Sequence, residues 1–323
     1  MLKAHLLKLM VENRVAYISG GELAKELGVS RNAVWKAVQS LRAEGYDIAA
    51  ITNKGYRLEN SGDILSEAGM YAFVETAGAF RFDVRKTVTS TNTVLRDLAA
   101  AGAPEGYVLV AEEQTAGKGR RGRGFHSPAG NGVYFSLLLR PGARTGDSQL
   151  ITSAAAVAVA RAIEAVFGVK PGIKWVNDIF VEGKKVCGIL TEAAFGMESG
   201  LIESAVLGIG INVTKPERGF PKEIESIAGV LTGGSKCADN ERCRLIAASL
   251  DNFWAYYQNL AAHEFLEEYR ERSIIIGKEI DVVTGLETQP AQAIAIDDNC
   301  ALVVRYKNGE TATLNSGEVS VRV

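Results

Sequence analysis

Residues 115–124 read Thr-Ala-Gly-Lys-Gly-Arg-Arg-Gly-Arg-Gly: four fixed cations, no acid, and glycine at nearly every other position. Glycine withdraws the Cβ that keeps amide N–H groups away from an anion, and it permits φ > 0 turns that aim successive amides at one point. Lys118, Arg120, Arg121 and Arg123 supply countercharge. A strand-like apolar stretch precedes the run (Tyr107–Ala111) and another follows it (Val133–Leu139), so it is expected to be a loop between strands, lying close to a phosphate. It does not open a helix. It also lacks the Gly-Lys-Ser/Thr ending of a P-loop and the GxGxxG of a dinucleotide fold. By itself it would also fit a flexible basic surface loop.

A chain of 323 residues is longer than one core usually supports, so two or three domains are expected. With 47% apolar and 23% charged residues the make-up is that of an ordinary globular protein. A formal charge of −2 excludes a wholly basic nucleic-acid binder, so any such function must be local. The first residues already read as an amphipathic helix and not as a signal segment. The most apolar long stretch, Ile151–Val169, carries Arg161 and Glu164, which fits a packed helix and no membrane partner. Cys187, Cys237, Cys243 and Cys300 form no CxxC pair and have no histidine near them. That points to reduced, mostly buried thiols in a cytoplasmic protein, and away from zinc.

Residues 1–62 read as a separate unit. Leu2, Leu6, Leu7, Leu9 and Met10 mark a first helix, Ser19-Gly-Gly-Glu22 is a capping box for a second, and Gly28 stops it. Ser30 then caps a third helix with Val34, Val38 and Leu41 on one face. Its other face holds Arg31, Asn32, Trp35, Lys36 and Gln39, the inventory of a groove-reading helix. A hairpin with Lys54 at its tip and Arg57 beyond follows, so the pattern is a winged helix-turn-helix for DNA, with Ser30 and Lys54 among its contacts. Residues 1–60 hold nine Lys/Arg against six acids, a surplus of three, so the remainder of the chain carries −5. A helical domain for protein contacts would show the same elements.

Residues 63–79 are expected to be a linker with a helix. From 80 to 273 strands and helices mix, and the close hairpin spacing (Glu182-Gly-Lys184; 197–200) argues for a mixed or largely antiparallel sheet with helices on one face. From 274 to 323 five short strands make a small SH3-like barrel, the last expected over 319–323. The fold class is α+β.

Four further features surround the basic loop. Ser90, Thr91 and Asn92 stand where a strand gives way to a helix and present hydroxyls, an amide and helix-start N–H groups; a plain helix cap looks the same. Gln114 precedes the loop. Lys174-Trp-Val-Asn-Asp178 clusters a lysine, an amide and a carboxylate on a turn; Asn177 and Asp178 suit Mg²⁺, and they are also common turn formers. Lys185 enters an apolar strand, either as an anion clamp or with its head in solvent. His5, His126 and His263 offer no nucleophile–base pair, so chemistry that needs charge stabilisation more than proton transfer fits best. Attack of an ionised carboxylate on an α-phosphate is such a reaction.

Ser90-Thr-Asn92, Gln114, Gly117-Lys-Gly-Arg-Arg-Gly-Arg123, Ser127-Pro128, Lys174-Trp-Val-Asn-Asp178, Lys185-Val-Cys-Gly-Ile-Leu190 and Gly208-Ile-Gly-Ile-Asn212 resemble, in order and separation, the motif series of biotin protein ligases. With the winged helix ahead of them they resemble the bifunctional form, ligase and biotin-operon repressor in one chain. Gly277-Lys-Glu-Ile280 and Ser316-Gly-Glu-Val-Ser320 resemble that family's C-terminal barrel. The resemblance implies a class II synthetase-like catalytic fold that converts biotin and MgATP to biotinyl-5′-AMP. Biotin then passes to a lysine of a biotin carboxyl carrier domain of acetyl-CoA carboxylase or a related carboxylase.

By the same resemblance, Ser90, Thr91, Asn92, Gln114, Lys118, Gly119, Arg120 and Lys185 would bind biotin. Arg120, Arg121, Arg123, Phe125, Asn177 and Asn212 would lie by the nucleotide, Asn177 and Asp178 would place Mg²⁺, and Lys185, Arg120 and Asp178 would be catalytic. Biotinyl-5′-AMP would act as corepressor, ordering the loops and promoting a homodimer that meets operator DNA. Two positions depart from the family: Phe125 stands where tryptophan is frequent and lacks the indole donor, and Lys118 stands where arginine is frequent and lacks the bidentate fork. A biotin-sensing repressor without catalysis, and lipoate attachment, are the alternatives. Pyrophosphate release and the transferred acid discriminate them.

Overall fold

The computed structural model describes residues 2–60, 62–142, 147–196, 200–233, 235, 237–284, 287–315 and 318–321. Part of the expected turn at 197–200, the start of the Ser316–Ser320 motif and the last two residues of the expected final strand lie outside the described residues.

Helix α1 (Leu2–Glu12) turns Leu6, Leu7 and Met10 inward. The capping box closes in both directions: Glu22 N donates to Ser19 Oγ at 3.1 Å and Ser19 N donates to Glu22 Oε2 at 2.9 Å, opening α2 (Gly20–Glu26). Those bonds hold the Glu22 carboxyl below its ordinary value. Gly28, at φ +64°, releases the chain, and Ser30 Oγ accepts from Ala33 N at 3.2 Å to cap α3 (Arg31–Ala43). Hairpin β1 (Asp47–Ile51) and β2 (Gly55–Asn60) completes the wing. Val34, Val38 and Leu41 share a small core with Leu23, Ile48 and Leu58, while Arg31, Asn32, Trp35 and Lys36 face solvent and Gln39 is half-buried. Lys54 is exposed at the hairpin tip, but Arg57 does not extend that basic surface as expected. Its guanidinium donates to both Glu59 oxygens at 2.7 and 2.8 Å and stacks 4.5 Å from the Tyr17 ring centre, so its charge is neutralised locally.

Helix α4 (Glu67–Phe73) joins the units: Ala68 and Ala72 pack into the winged-helix core and Met70 into the next. The buried Arg242 guanidinium bonds Asp63 in this connection and Glu112 at 2.8 Å, which fastens the linker to the central unit.

The central sheet comprises β3 (Arg81–Val88), β4 (Tyr107–Gln114), β5 (Gly132–Leu139), β6 (Gly172–Lys174), β7 (Asp178–Val181), β8 (Lys184–Phe195) and β9 (Ile202–Asn212). Their order is β3-β4-β5-β9-β8-β7-β6, parallel only between β3 and β4, as the short hairpin turns require. Helix α6 (Asp147–Phe167), the apolar alanine-rich stretch, is packed with α8 (Glu241–Tyr257) and α9 (Leu266–Glu271) on one face; α7 (Lys222–Glu225) is a single turn. Helix α5 (Thr91–Ala100) covers only one end of the other face, over Leu109, Leu138 and Val206. Farther along that face, Phe125 packs on Gly210.

Strands β10 (Glu279–Thr284), β11 (Glu287–Ile296), β12 (Leu302–Tyr306), β13 (Thr311–Leu314) and β14 (Glu318–Val321) form the C-terminal antiparallel sheet, with β14 returning beside β10. Its Ile280, Val282, Leu302 and Val304 continue the central core. The four cysteines are free; burial pushes the Cys243 thiol up to about 12 and the Cys300 thiol up to about 11.

Candidate active site

The sheet has room for a cavity here because Gly188, Gly208 and Gly210 carry no side chain on that face. Alternate strand residues share a face, and Gly208 and Gly210 on β9 pair with Leu190 and Gly188 on β8. A Cβ on Gly210 would stand 2.6 Å from the Phe125 ring, and one on Gly208 would collide with the Asn92 carboxamide. Phe125 thus fills a glycine gap, edge-on to Tyr134 at 6.3 Å between ring centres. The hollow measures about 410 Å³.

One wall is neutral, polar and buried. Ser90, Thr91 and Asn92 open α5 and are 2–4% exposed. Thr91 N donates to Gln114 Oε1 at 2.8 Å, and Gln114 Nε2 donates to Ser127 Oγ at 2.9 Å. Asn92 Nδ2 donates to Glu192 Oε2 at 2.8 Å. Ser136 Oγ, fully buried on β5, lies 2.6 Å from Asn92 Oδ1 and 2.8 Å from Thr91 Oγ1.

The facing wall is the glycine-basic loop. Thr115 N and Ala116 N donate to Val88 O and Thr89 O, and Gly119 N donates to Arg123 O at 2.7 Å, closing a tight hairpin. Residues 120–122 make one 3₁₀ turn, with Arg121 at φ +54° and Gly122 at φ +74°. Arg120 is half-buried and donates from Nη1 to Asn177 Oδ1 at 3.0 Å, whereas Lys118, Arg121 and Arg123 are exposed. The β6–β7 turn that receives Arg120 is itself held at every residue. Trp175 Nε1 donates to Cys300 O at 2.9 Å, Tyr269 Oη donates to Val176 O at 2.9 Å, and Asn177 Nδ2 donates to Ile189 O at 2.7 Å. Next to it Lys185 Nζ pairs with Asp178 Oδ1 at 2.6 Å.

All the ligase-site residues named from the sequence line this one cavity: Ser90, Thr91, Asn92, Gln114, Lys118, Gly119, Arg120, Arg121, Arg123, Phe125, Asn177, Asp178, Lys185 and Asn212. Ser30, Arg31, Asn32, Trp35, Lys36, Gln39 and Lys54 belong to the separate winged helix, where the Ser30 hydroxyl is occupied in capping α3. Sequence reasoning missed Ser136, Glu192, an apolar lip of Phe220, Ile224 and Ile227, and Val319 from the C-terminal sheet. A lone serine within Val133–Leu139 was the available signal for the first, and the Ser316–Ser320 motif for Val319; the lip carried none.

Fold and site together define a biotin/lipoate-type protein ligase joined to a helix-turn-helix domain. Residues 84–212 match the biotin/lipoate A/B protein ligase family, residues 3–57 an HTH domain, and residues 275–322 the biotin protein ligase C terminal domain. The bifunctional ligase/repressor BirA of Bacillus spizizenii is 36% identical over 314 residues, 95% of each chain. The protein of the same name from Escherichia coli is 26% identical over 313 residues, 94% of this chain and 92% of its own. Among solved structures, the biotin protein ligase from Aquifex aeolicus in complex with biotin and ATP matches with a TM-score of 0.61 at 25% identity, over 75% of this chain and 98% of that one. The chain belongs to the family of the bifunctional ligase/repressor BirA.

Proposed function

We propose that this chain is an ATP-dependent biotin–protein ligase that also represses transcription of biotin genes. The observation that carries the proposal is the one cavity lined by a buried neutral wall, a glycine-rich cationic loop and Lys185, which pairs with Asp178. In the first step a biotin carboxylate oxygen attacks the α-phosphorus of ATP, the bond to the β-phosphate oxygen breaks, and pyrophosphate leaves. Ser90, Thr91, Asn92 and Gln114 hold the ureido end. Lys118, Gly119 and Arg120 close over the carboxylate and phosphate, and Lys185 neutralises the charge that moves onto the phosphate oxygens. Phe125, Asn212, Arg121 and Arg123 border the nucleotide.

Mg²⁺ arrives with ATP. Asp178, whose Oδ1 pairs with Lys185, and the Asn177 side-chain carbonyl, which accepts from Arg120, are the residues that would hold it, and it would supply neutralisation of the triphosphate charge. In the second step an uncharged lysine amine of the carrier domain attacks the anhydride carbonyl, AMP departs, and Asp178 takes the proton.

The winged helix (1–62), joined by 63–79 to a catalytic unit (80–273) and barrel (274–323), carries the repressor role in the cytoplasm. Biotinyl-5′-AMP is the corepressor, and it promotes a homodimer on operator DNA. Biotin-dependent pyrophosphate release from ATP, followed by transfer of labelled biotin and not lipoate to a carrier domain, tests the ligase. Retention of biotin with no pyrophosphate release would instead leave a sensing repressor. Equal dimer fractions in sedimentation with and without biotinyl-5′-AMP would remove the corepressor step.

A further inference from the structure

Four cavity residues lie in one row across the central sheet. Residues directly opposite on antiparallel strands share a face. Lys174 on β6 pairs with Asp178 on β7, Asp178 with Gly188 on β8, and Gly188 with Gly210 on β9. All four line the cavity, while Ile173 and Ile179, the next residues on β6 and β7, are buried in the core behind. Lys185 joins this row by another route. The β7–β8 register skips Val186, and the bulge turns Lys185 away from the buried face of Cys187 to pair with Phe180 on the cavity side. A Cβ on Gly188 would lie 3.4 Å from the Phe125 ring and 3.5 Å from Lys185 Nζ. From β9 to β6 the order is therefore aromatic ring, Lys185 ammonium, Asp178 carboxylate, Lys174. The Lys174 ammonium stands 5.9 Å from the centre of the Phe180 ring, which lines the same cavity. Among the described residues that line the cavity Asp178 is the only acid, so two lysines share the row with one carboxylate.

We propose that Lys174 is a further catalytic residue of the adenylation step, binding the β- and γ-phosphates of ATP and stabilising the departing pyrophosphate. The proposal rests on the biotin-ligase reading and adds to it the path of the leaving group. As the carboxylate oxygen bonds to the α-phosphorus, the bond to the bridging oxygen breaks, and that oxygen keeps the electron pair in pyrophosphate. Attacking and leaving oxygens stand roughly in line across the phosphorus. The neutral wall that holds biotin lies over β5 and β9, where Asn92 meets Ser136 and covers Gly208. With the α-phosphate at Lys185 on β8, in-line departure runs over β7 toward β6, where Lys174 stands. Strands β6 and β8 are two strand spacings apart, about 10 Å, a gap that two flexible four-carbon stems bracket from its ends. A compact ammonium with three rotatable donors follows phosphate oxygens as they move away. A Lys174 that merely held Asp178 from across the strand would act differently: Asp178 takes the proton during transfer to the carrier, so that step would suffer too.

The test separates the two half-reactions in the full chain at saturating Mg²⁺. Lys174→Met is expected to lower biotin-dependent pyrophosphate release by about 10²-fold, as for the loss of one donor aimed at developing charge. In the reverse direction, synthesis of ATP from biotinyl-5′-AMP and pyrophosphate, the KM for pyrophosphate rises about tenfold through the lost charged contact. Transfer of biotin from preformed biotinyl-5′-AMP to a carrier domain stays within about twofold, because no pyrophosphate takes part. Lys174→Arg, which keeps the charge, recovers most of the forward rate. Parallel slowing of both half-reactions assigns Lys174 to holding Asp178 and overturns the proposal, as does an unchanged KM for pyrophosphate. Biotin binding by calorimetry shows that the variant is folded; should Lys174→Met not fold, Lys174→Gln is read by the same two criteria. A wild-type chain that releases no pyrophosphate with biotin and ATP removes the ligase reading itself.

Discussion

The two walls of the cavity solve different problems with different chemistry. In the wall of Thr91, Asn92, Gln114 and Ser136 the groups are neutral, most of them buried, and bound to one another. In the loop opposite, three of four cations are exposed on a backbone shaped by its own short bonds and by positive φ at Arg121 and Gly122. Buried hydrogen bonds are weakly screened and depend on position, so they suit discrimination between similar ligands. Exposed cations act over longer range and fall off with salt, which suits attraction of anions and neutralisation of moving charge. The lesson is a division of labour, a rigid wall for identity and a charged wall for reaction.

The largest test concerns Lys185, which lines the same cavity and pairs with Asp178. Lys185→Met is expected to lower biotin-dependent pyrophosphate release by about 10²–10³-fold, the usual cost of losing one donor aimed at transition-state charge, with a much smaller change in biotin affinity by calorimetry. Next, one methyl group distinguishes the walls. Gly208→Ala drives a Cβ into the Asn92 carboxamide and is expected to raise the biotin Kd by roughly 10–100-fold, from about 1–3 kcal/mol of overpacking. Gly119→Ala meets Arg123 O at 3.3 Å in an exposed loop, where a small shift relieves it; a change below about threefold is expected. Equal effects would abolish the contrast. Raising salt from about 0.05 to 0.5 M should raise the KM for ATP several-fold and alter the biotin Kd less, because only the loop relies on screened charge. Smallest is the control outside both walls. Ser30→Ala removes the α3 cap, costs about 1 kcal/mol and lowers the winged-helix melting temperature by a few degrees, while pyrophosphate release stays unchanged.

Much of this was legible in the chain because the signals are local. The Ser19–Glu22 box, Gly28 and Ser30 mark helix ends through contacts within four residues, and all three behave as read. The Arg57 surface misled because its partners, Glu59 and Tyr17, meet it through the hairpin and its packing, although Glu59 is only two residues away. Glu192 belongs to none of the motifs read from the sequence; its neighbour Asn92 is a hundred residues earlier. The Gly208-Ile-Gly210 alternation was visible, but its meaning depended on a ring from the far side of the basic loop.

By itself, the sequence determined the order of the three units, the strand-loop-strand setting of the basic run and the identity of the groups that carry charge. These follow from local backbone preference and residue chemistry. Only the tertiary structure decided that Thr91, Gln114, Ser136 and Glu192 share one hydrogen-bond chain, that Arg120 reaches Asn177, and that Cys300, in the β11–β12 turn, steadies Trp175. The direction of a buried proton depends on every partner in contact with it, and those partners come together only when distant strands pair.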